Sequence, residues 1–418
     1  MYKTFASAAL LGFSAIASAA PYGSGSRPWR SGTYSWGSYS STSTSSAAIS
    51  SSTGYTQGSV FTFPLSNGFP NVSNPSTQLT QIEEQAHGTL PNGSAPPPPH
   101  ADSLNSLGFI AFNELMEVAF FTELIANITA NVPGYDNIPN QNQVLAILNV
   151  VQAQEELHEL NANGAFAKFS GGDVITPCEY VFPVDNFNDS IALASKFTDV
   201  VLGTLPDIQT IFGTDGDVGL IRGVGAVIGQ EGEQNGFYRN LLGQNPSALP
   251  FLTASARDFA FNAINQNFVV PGSCDASLDL LLHPAAGTPL TEFGVLNVLT
   301  DPKDITSQMD SEIQFSFSTS TTNVPSGSGA GQNFAVQSPS ASGFFLTYVN
   351  QQNKPFSVPL MNEQFADGAV TFTASFPGLS QEMNGLTIAA LTSSNGPFAT
   401  VDDVAAATLF GPGLIEIN

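Results

Sequence analysis

Positive charge is scarce in this chain. Lys and Arg number 10 in 418 residues, against 34 Asp and Glu, for a formal net charge of -24. None occurs between Arg30 and Lys168. Phosphate backbones are held by clustered cations, so nucleic acid is a poor partner, and an anionic lipid surface is another. Cysteine is scarcer still, with Cys178 and Cys274 alone. In an oxidising compartment such a pair forms a disulfide; two free thiols are the alternative. Long apolar runs are missing too. The first residues, MYKTFASAALLGFSAIASAAPYG, carry one charge, Lys3, then a short apolar run and small residues. That is the pattern of a secretory signal peptide cut near Ala19 or Ala20. It is too short for a convincing membrane span, and the final GPGLIEIN lacks the apolar tail of a lipid-anchor signal. The expectation is a soluble secreted protein, extracellular or in a cell wall, without a membrane partner. Two familiar catalytic devices are absent as well: there is no P-loop, and no Gly-x-Ser-x-Gly elbow follows a strand.

What is present falls into four parts, expected at 1–20, 21–100, 101–298 and 299–418. After the leader comes a Ser/Thr/Pro-rich stretch whose composition predicts a flexible arm. Two segments in it, around 59–65 and 77–88, have the apolar content to order. Asn71, Asn92, Asn127 and Asn188 each begin an Asn-X-Ser/Thr pattern, which marks candidate glycosylation sites and predicts surface positions. Long apolar segments with helical periodicity follow at 103–128, 140–166, 188–205 and 217–243, with a shorter one at 255–269. Pro206 is the expected stop of the third. The glycines of GVGAVIG at 223–229 predict close helix contact. Short Phe-, Val- and Thr-rich runs separated by turn residues occupy 313–321, 332–338, 343–350, 369–376 and 386–393. The fold class expected is α+β and multidomain: a helical bundle, then a small all-β, sandwich-like C-terminal domain.

The informative feature is acid inside the apolar stripes. In the second long helix Val144, Leu148, Val151, Glu155 and His158 follow at intervals of four and three, so they share one face. Glu156 and Glu159 fall beside that face and are expected near the surface. In the first helix Ile110, Glu114, Glu117, Phe121 and Leu124 share a stripe, so at least one of the two glutamates faces inward. The third gives Ala192, Ser195, Asp199 and Leu202; the fourth gives Val224, Ile228, Glu231, Gln234 and Tyr238. Buried carboxylates are costly unless neutralised. Lys196, Arg222 and Arg239 are too few to pair them all. A metal ion would neutralise several at once, and Glu-x-x-His is suited to it because both side chains leave one face of a helix. The plain alternative is a solvated acidic face and a polar network without metal.

The segments FNELMEVAFFTELI, QAQEELHELNANGAF and VIGQEGEQNGFYRNLLG resemble the ferritin-like domain of secreted fungal proteins of stress response and late sexual development. More distantly they are similar to plant desiccation-related proteins. The resemblance spans roughly 80–300. It implies a ferritin-like four-helix bundle with a carboxylate site for iron or manganese. Its pattern falls on Glu117, on Glu155 and His158, on Asp199 where the pattern has Glu, and on Glu231 with Gln234 where the pattern has His. The second half of such a site is therefore weakened, and one ion, two or none are open. No catalytic residue is assigned and enzymatic activity is left open. The other reading is a non-enzymatic structural protein whose partners are cell-wall or matrix components, or copies of itself in a homo-oligomer.

Overall fold

The structure, a computed structural model, describes residues 54–55, 58–318 and 343–418. The leader, the first part of the Ser/Thr/Pro-rich stretch (21–53, with 56 and 57), the end of the strand expected at 313–321 and the strand expected at 332–338 lie outside these residues. The helical region comprises α1 (Thr77–Ala86), α2 (Ala101–Thr129), α3 (Gln141–Ser170), α4 (Phe187–Asp215), α5 (Val218–Leu241), α6 (Arg257–Asn267) and α7 (Asp275–Leu282). Then come β1 (Leu296–Val298), β2 (Ser311–Ser318), β3 (Phe345–Asn350), β4 (Phe356–Pro359), β5 (Met361–Ala366), β6 (Ala369–Phe376), β7 (Gly385–Thr392), α8 (Val401–Ala407) and β8 (Thr408–Ile417). No helix among the described residues is long and apolar enough to cross a membrane.

Helix α2 is apolar nearly all round and is correspondingly buried nearly all round, which makes it the central helix. It pairs with α3 and touches α4, α6 and α7, while α5 pairs with α4. The boundaries follow capping chemistry. Asn186 Oδ1 accepts the Asp189 N–H at the start of α4, and Gly171 and Gly216, both left-handed, end α3 and α4.

Pro206 does not stop α4; the helix runs nine residues past it to Asp215. Proline removes one backbone donor and splays the carbonyls a turn before it. Here the Gly203 carbonyl accepts the Ser255 N–H at 3.3 Å. A Cβ on Gly203 would stand 2.1 Å from the Thr253 carbonyl oxygen, so only glycine permits that approach. The glycines of 223–229 divide: a Cβ on Gly225 would stand 2.9 Å from Gln209 Nε2 of α4, the close contact expected, whereas Gly223 and Gly229 have no atom within 4 Å of where a Cβ would stand.

The strands form two antiparallel sheets, ordered β1-β2-β6-β5 and β4-β3-β7-β8. The second sheet is the middle of three layers. On one face, Val349, Leu386, Ile388 and Ala390 join the helical core. On the other, Leu346, Tyr348, Ala389 and Leu391 pack with Phe315, Phe372 and Phe376 of the first sheet. All eight residues of β7 are buried, as a strand covered on both faces requires. Helices and sheets thus share one compact unit.

The packed region begins before the expected boundary at residue 100. Phe61 and Phe69 are buried, and Phe61 exchanges two backbone hydrogen bonds with Tyr180. Helix α1, capped by Ser76, lays Leu79, Ile82 and Ala86 on Ala153 and Leu157 of α3. Glu156 and Glu159, which the helical stripe alone placed near the surface, are both buried. Asn67 Nδ2 and Gln152 Nε2 donate to Glu156 at 2.9 and 2.8 Å, and Asn163 Nδ2 donates to Glu159 at 2.7 Å. The disulfide Cys178–Cys274 is present with Cα atoms 4.7 Å apart and a sequence separation of 96. A loop of that length corresponds to about 4.7 kcal/mol in the chain-entropy account. Of the sequon asparagines, Asn71, Asn92 and Asn188 are exposed. Asn127 is not a surface position: it is 3% exposed and its Oδ1 accepts the Tyr55 N–H at 2.6 Å, which leaves no room for a glycan.

Candidate metal centre

Four side chains from three helices converge: Glu114 from α2, Glu155 and His158 from α3, and Glu231 from α5. Each offers one donor atom, and these atoms lie within 4.8 Å of one another. His158 Nδ1 stands 2.8 Å from Glu155 Oε2 and 3.6 Å from Glu114 Oε2. Neither approach has the geometry of a hydrogen bond. Nδ1 of His158 and both carboxylate oxygens of Glu114, Glu155 and Glu231 are buried without a hydrogen-bond partner. Buried polar atoms almost always find partners, so this many orphans converging on one place are a property of the place.

The electrostatics agree. Burial lifts Glu114 to about 7, with Glu155 adding to the rise and His158 opposing it. Burial, then Glu114 and Glu155, hold Glu231 well above the usual carboxylate range. Burial alone would pull His158 down, but Glu155 and Glu114 outweigh it and raise it well above its ordinary value. No Lys or Arg is among the charges acting on these three groups. Three carboxylates and one imidazole, short of cations and of hydrogen bonds, fit a divalent metal. A set dominated by carboxylate oxygen with one nitrogen leans to manganese or iron over copper. Glu114, Glu155, His158 and Glu231 would hold the ion.

The residues singled out from sequence divide around this cluster. Glu155, His158 and Glu231 are in it. Glu117 lies beside it: Asn113 Nδ2 donates to Glu117 Oε1 at 2.9 Å, and burial with Glu155, Glu231 and Glu114 nearby holds it well above its usual range. Gln234 is engaged elsewhere, donating to Gln154 Oε1 at 3.3 Å and accepting from Tyr238 Oη at 3.3 Å. Tyr238 is fully buried and pushed well above the ordinary phenol range by burial, then by Glu155, Glu117 and Glu231.

Asp199 belongs to a second group. Asn235 Nδ2 donates to Asp199 Oδ1 at 2.9 Å, and Ser195 Oγ donates to Asn235 Oδ1 at 2.7 Å. The charge that acts on Asp199 is Arg239. Arg239 also donates through Nε to Asn245 O at 2.8 Å, bonds Asn418 through Nη1, and lies 3.9 Å from Glu416 Oε1 of β8.

Glu114 is the cluster member that the resemblance did not select, although its stripe did. Glu416 was not singled out at all; its strand is interrupted by Gly411, Pro412 and Gly413, which hides it from pattern reading. No family model and no curated protein matches the chain.

Proposed function

We propose that this is a secreted protein of the ferritin-like class that binds one manganese or iron ion through Glu114, Glu155, His158 and Glu231. The observation that carries the reading is the convergence of four buried donors left without hydrogen bonds. The resemblance of α2, α3 and α5 to secreted fungal stress and development proteins supports the ferritin-like class and the choice of metal. Such an ion would supply Lewis acidity and, if iron or manganese, access to a second oxidation state. The chain's own part is to exclude water from three of the four donors and to place Glu117, hydrogen-bonded by Asn113, beside them.

One ion rather than two is favoured by Asp199 and Gln234. Both are committed to amide and arginine partners, so a second set of donors is not assembled. The same commitment favours a second reading, a metal-free scaffold of a cell wall or matrix.

Elemental analysis of protein purified without chelator or histidine tag separates the two. Near one manganese or iron per chain, lost in the Glu155→Gln variant, supports the metal protein. Near two would show that Asp199 and Gln234 are recruited. A value near zero, unchanged after anaerobic addition of manganese(II) or iron(II), would leave the scaffold.

A further inference from the structure

A site with three fully buried ligands needs a way in, and the structure shows where solvent touches it. Glu114, Glu155 and Glu231 are sealed, while the His158 side chain keeps 15% of its surface exposed. The open side therefore lies on the His158 face of α3, toward α5. One turn before His158 stands Gln154; on α5, Gln230 and Gln234 flank Glu231. Their amides close on one another between the helices. Gln230 Nε2 donates to Gln154 Oε1 at 2.9 Å, and Gln234 Nε2 donates to the same oxygen at 3.3 Å. Gln154 Nε2 in turn donates to Ala86 O at the end of α1, at 3.4 Å. Gln230 Oε1 is buried and has no partner.

Resting on the proposed metal site, we infer that Gln154 and Gln230 form its access gate, through which a hydrated divalent cation passes between α3 and α5. The chemistry suits the task. An amide carbonyl is neutral and hard, so it can replace a water on a manganese or iron ion without trapping it as a carboxylate would. The unpartnered Gln230 oxygen is free to do so before any existing bond is broken. Both glutamines are partly exposed, and each sits next in sequence to a ligand, Glu155 or Glu231. The glycines of α5 make sense on this account. A helix interior disfavours glycine, and Gly229 and Gly232, beside Gln230 and Glu231, have no neighbour that requires it. They leave the outside of the gate uncovered. The negative charge of the whole chain draws cations toward it.

The test is the rate of manganese(II) uptake by full-length apoprotein, followed in stopped flow by loss of free ion to the protein, together with the equilibrium stoichiometry. Gln154→Leu and Gln230→Leu keep the size and remove the carbonyl. Both are expected to take up the same amount of manganese, with association and dissociation each slowed about tenfold, as for a gating step. Gly229→Leu puts a good helix former where nothing stands within 4 Å, so it keeps the fold; it should slow uptake as well. Stoichiometric binding at the wild-type rate in all three variants would overturn the gate and leave the site. Wild-type protein that binds no manganese would overturn the site and the gate with it.

Discussion

Two groups of acids are buried among the same long helices, and they are neutralised differently. Asp199 and Glu416 have Arg239 between them, with Asn235, Ser195, Asn245 and Asn418 filling in hydrogen bonds. Glu114, Glu155 and Glu231 have His158 and each other. The consequence can be read in the carboxyls. Burial raises Asp199, but the pull of Arg239 holds it to about 6; burial and Asp199 lift Glu416 to about 8 against Arg239 and Lys196, and Glu231 climbs well above its usual range with only His158 to oppose the rise. A protein that wanted a quiet polar core had an arginine and asparagines for the purpose one or two turns away. The difference between the groups is the cation: the first has Arg239, and the second has no Lys or Arg acting on it, which is the place the proposed metal ion would fill.

The largest effect should come from breaking the compensated group. Arg239→Met keeps the apolar stem but leaves two buried acids facing each other and frees Glu416, which ties β8 to α5. Removing one partner of a buried ion pair costs about 3–5 kcal/mol, measurable as a fall in the urea midpoint at constant slope. If Arg239→Met is neutral, Arg239 is not what holds that junction. The uncompensated group predicts the opposite sense. Glu231→Gln removes a buried charge site on which no Lys or Arg acts, so the apoprotein should hold or gain stability at pH 8. The same variant should lose the gain from metal, which for wild type at about 100 times Kd is about 2.7 kcal/mol. Equal destabilisation by Arg239→Met and Glu231→Gln would erase the distinction between the two groups.

Acidity sharpens the comparison further. The folded state raises Glu114 to about 7 and Glu159 to about 8, from a usual value of 4.5. A group raised in the folded state stabilises the fold while protonated. Its contribution is whole below about pH 4.5 and is lost as pH climbs through 7 and 8. Raised His158 has the same sign. The apoprotein should therefore melt at a lower temperature at pH 8 than at pH 5. Metal must displace these protons to bind, so manganese(II) should raise the melting temperature more at pH 8 than at pH 5. An apoprotein whose melting temperature rises between pH 5 and 8 would mean that the acids are paired after all.

How much of this was legible beforehand follows from the kind of rule each feature obeys. The long helices and the inward Glu155, His158 and Glu231 are written in a repeat of three and four, which fixes direction around a helix axis. That repeat says nothing of level along the axis. Glu114 and Glu117 share a stripe, and only the slide of α2 against α3 decides that Glu114 meets His158. Glu156 lies off the stripe and is reached by Asn67 of the segment before α1, and Glu159 lies near Tyr180; both contacts are made by chain distant in sequence or beyond the helix. The Pro206 rule is local, and packing distant in sequence overrides it: the Gly203 carbonyl, a turn before the proline, accepts the Ser255 N–H and the helix continues. Runs of Phe, Val and Thr announced β2, β3, β6 and β7, whereas β8 carries a Gly-Pro-Gly interruption and so hid Glu416.

The smallest effect tests the amide half of the compensated group. Asn235 relays between Ser195 Oγ and Asp199 Oδ1, donating to one and accepting from the other. Asn235→Ala removes both bonds but leaves Arg239, the charge that decides the fate of Asp199. A lost bond to a charged group is worth about 1.5–3 kcal/mol when nothing replaces it. Here Ser195 Oγ is freed to turn toward Asp199, so the loss should fall at or below the low end of that range. Asp199 should then titrate higher than in the wild type, because an opposing hydrogen bond is gone while burial remains. The metal cluster shares none of these bonds, so manganese binding should be unchanged. If Asn235→Ala instead weakened manganese binding as much as Glu231→Gln does, Asp199 would be acting on the metal, and the two groups would be halves of one site.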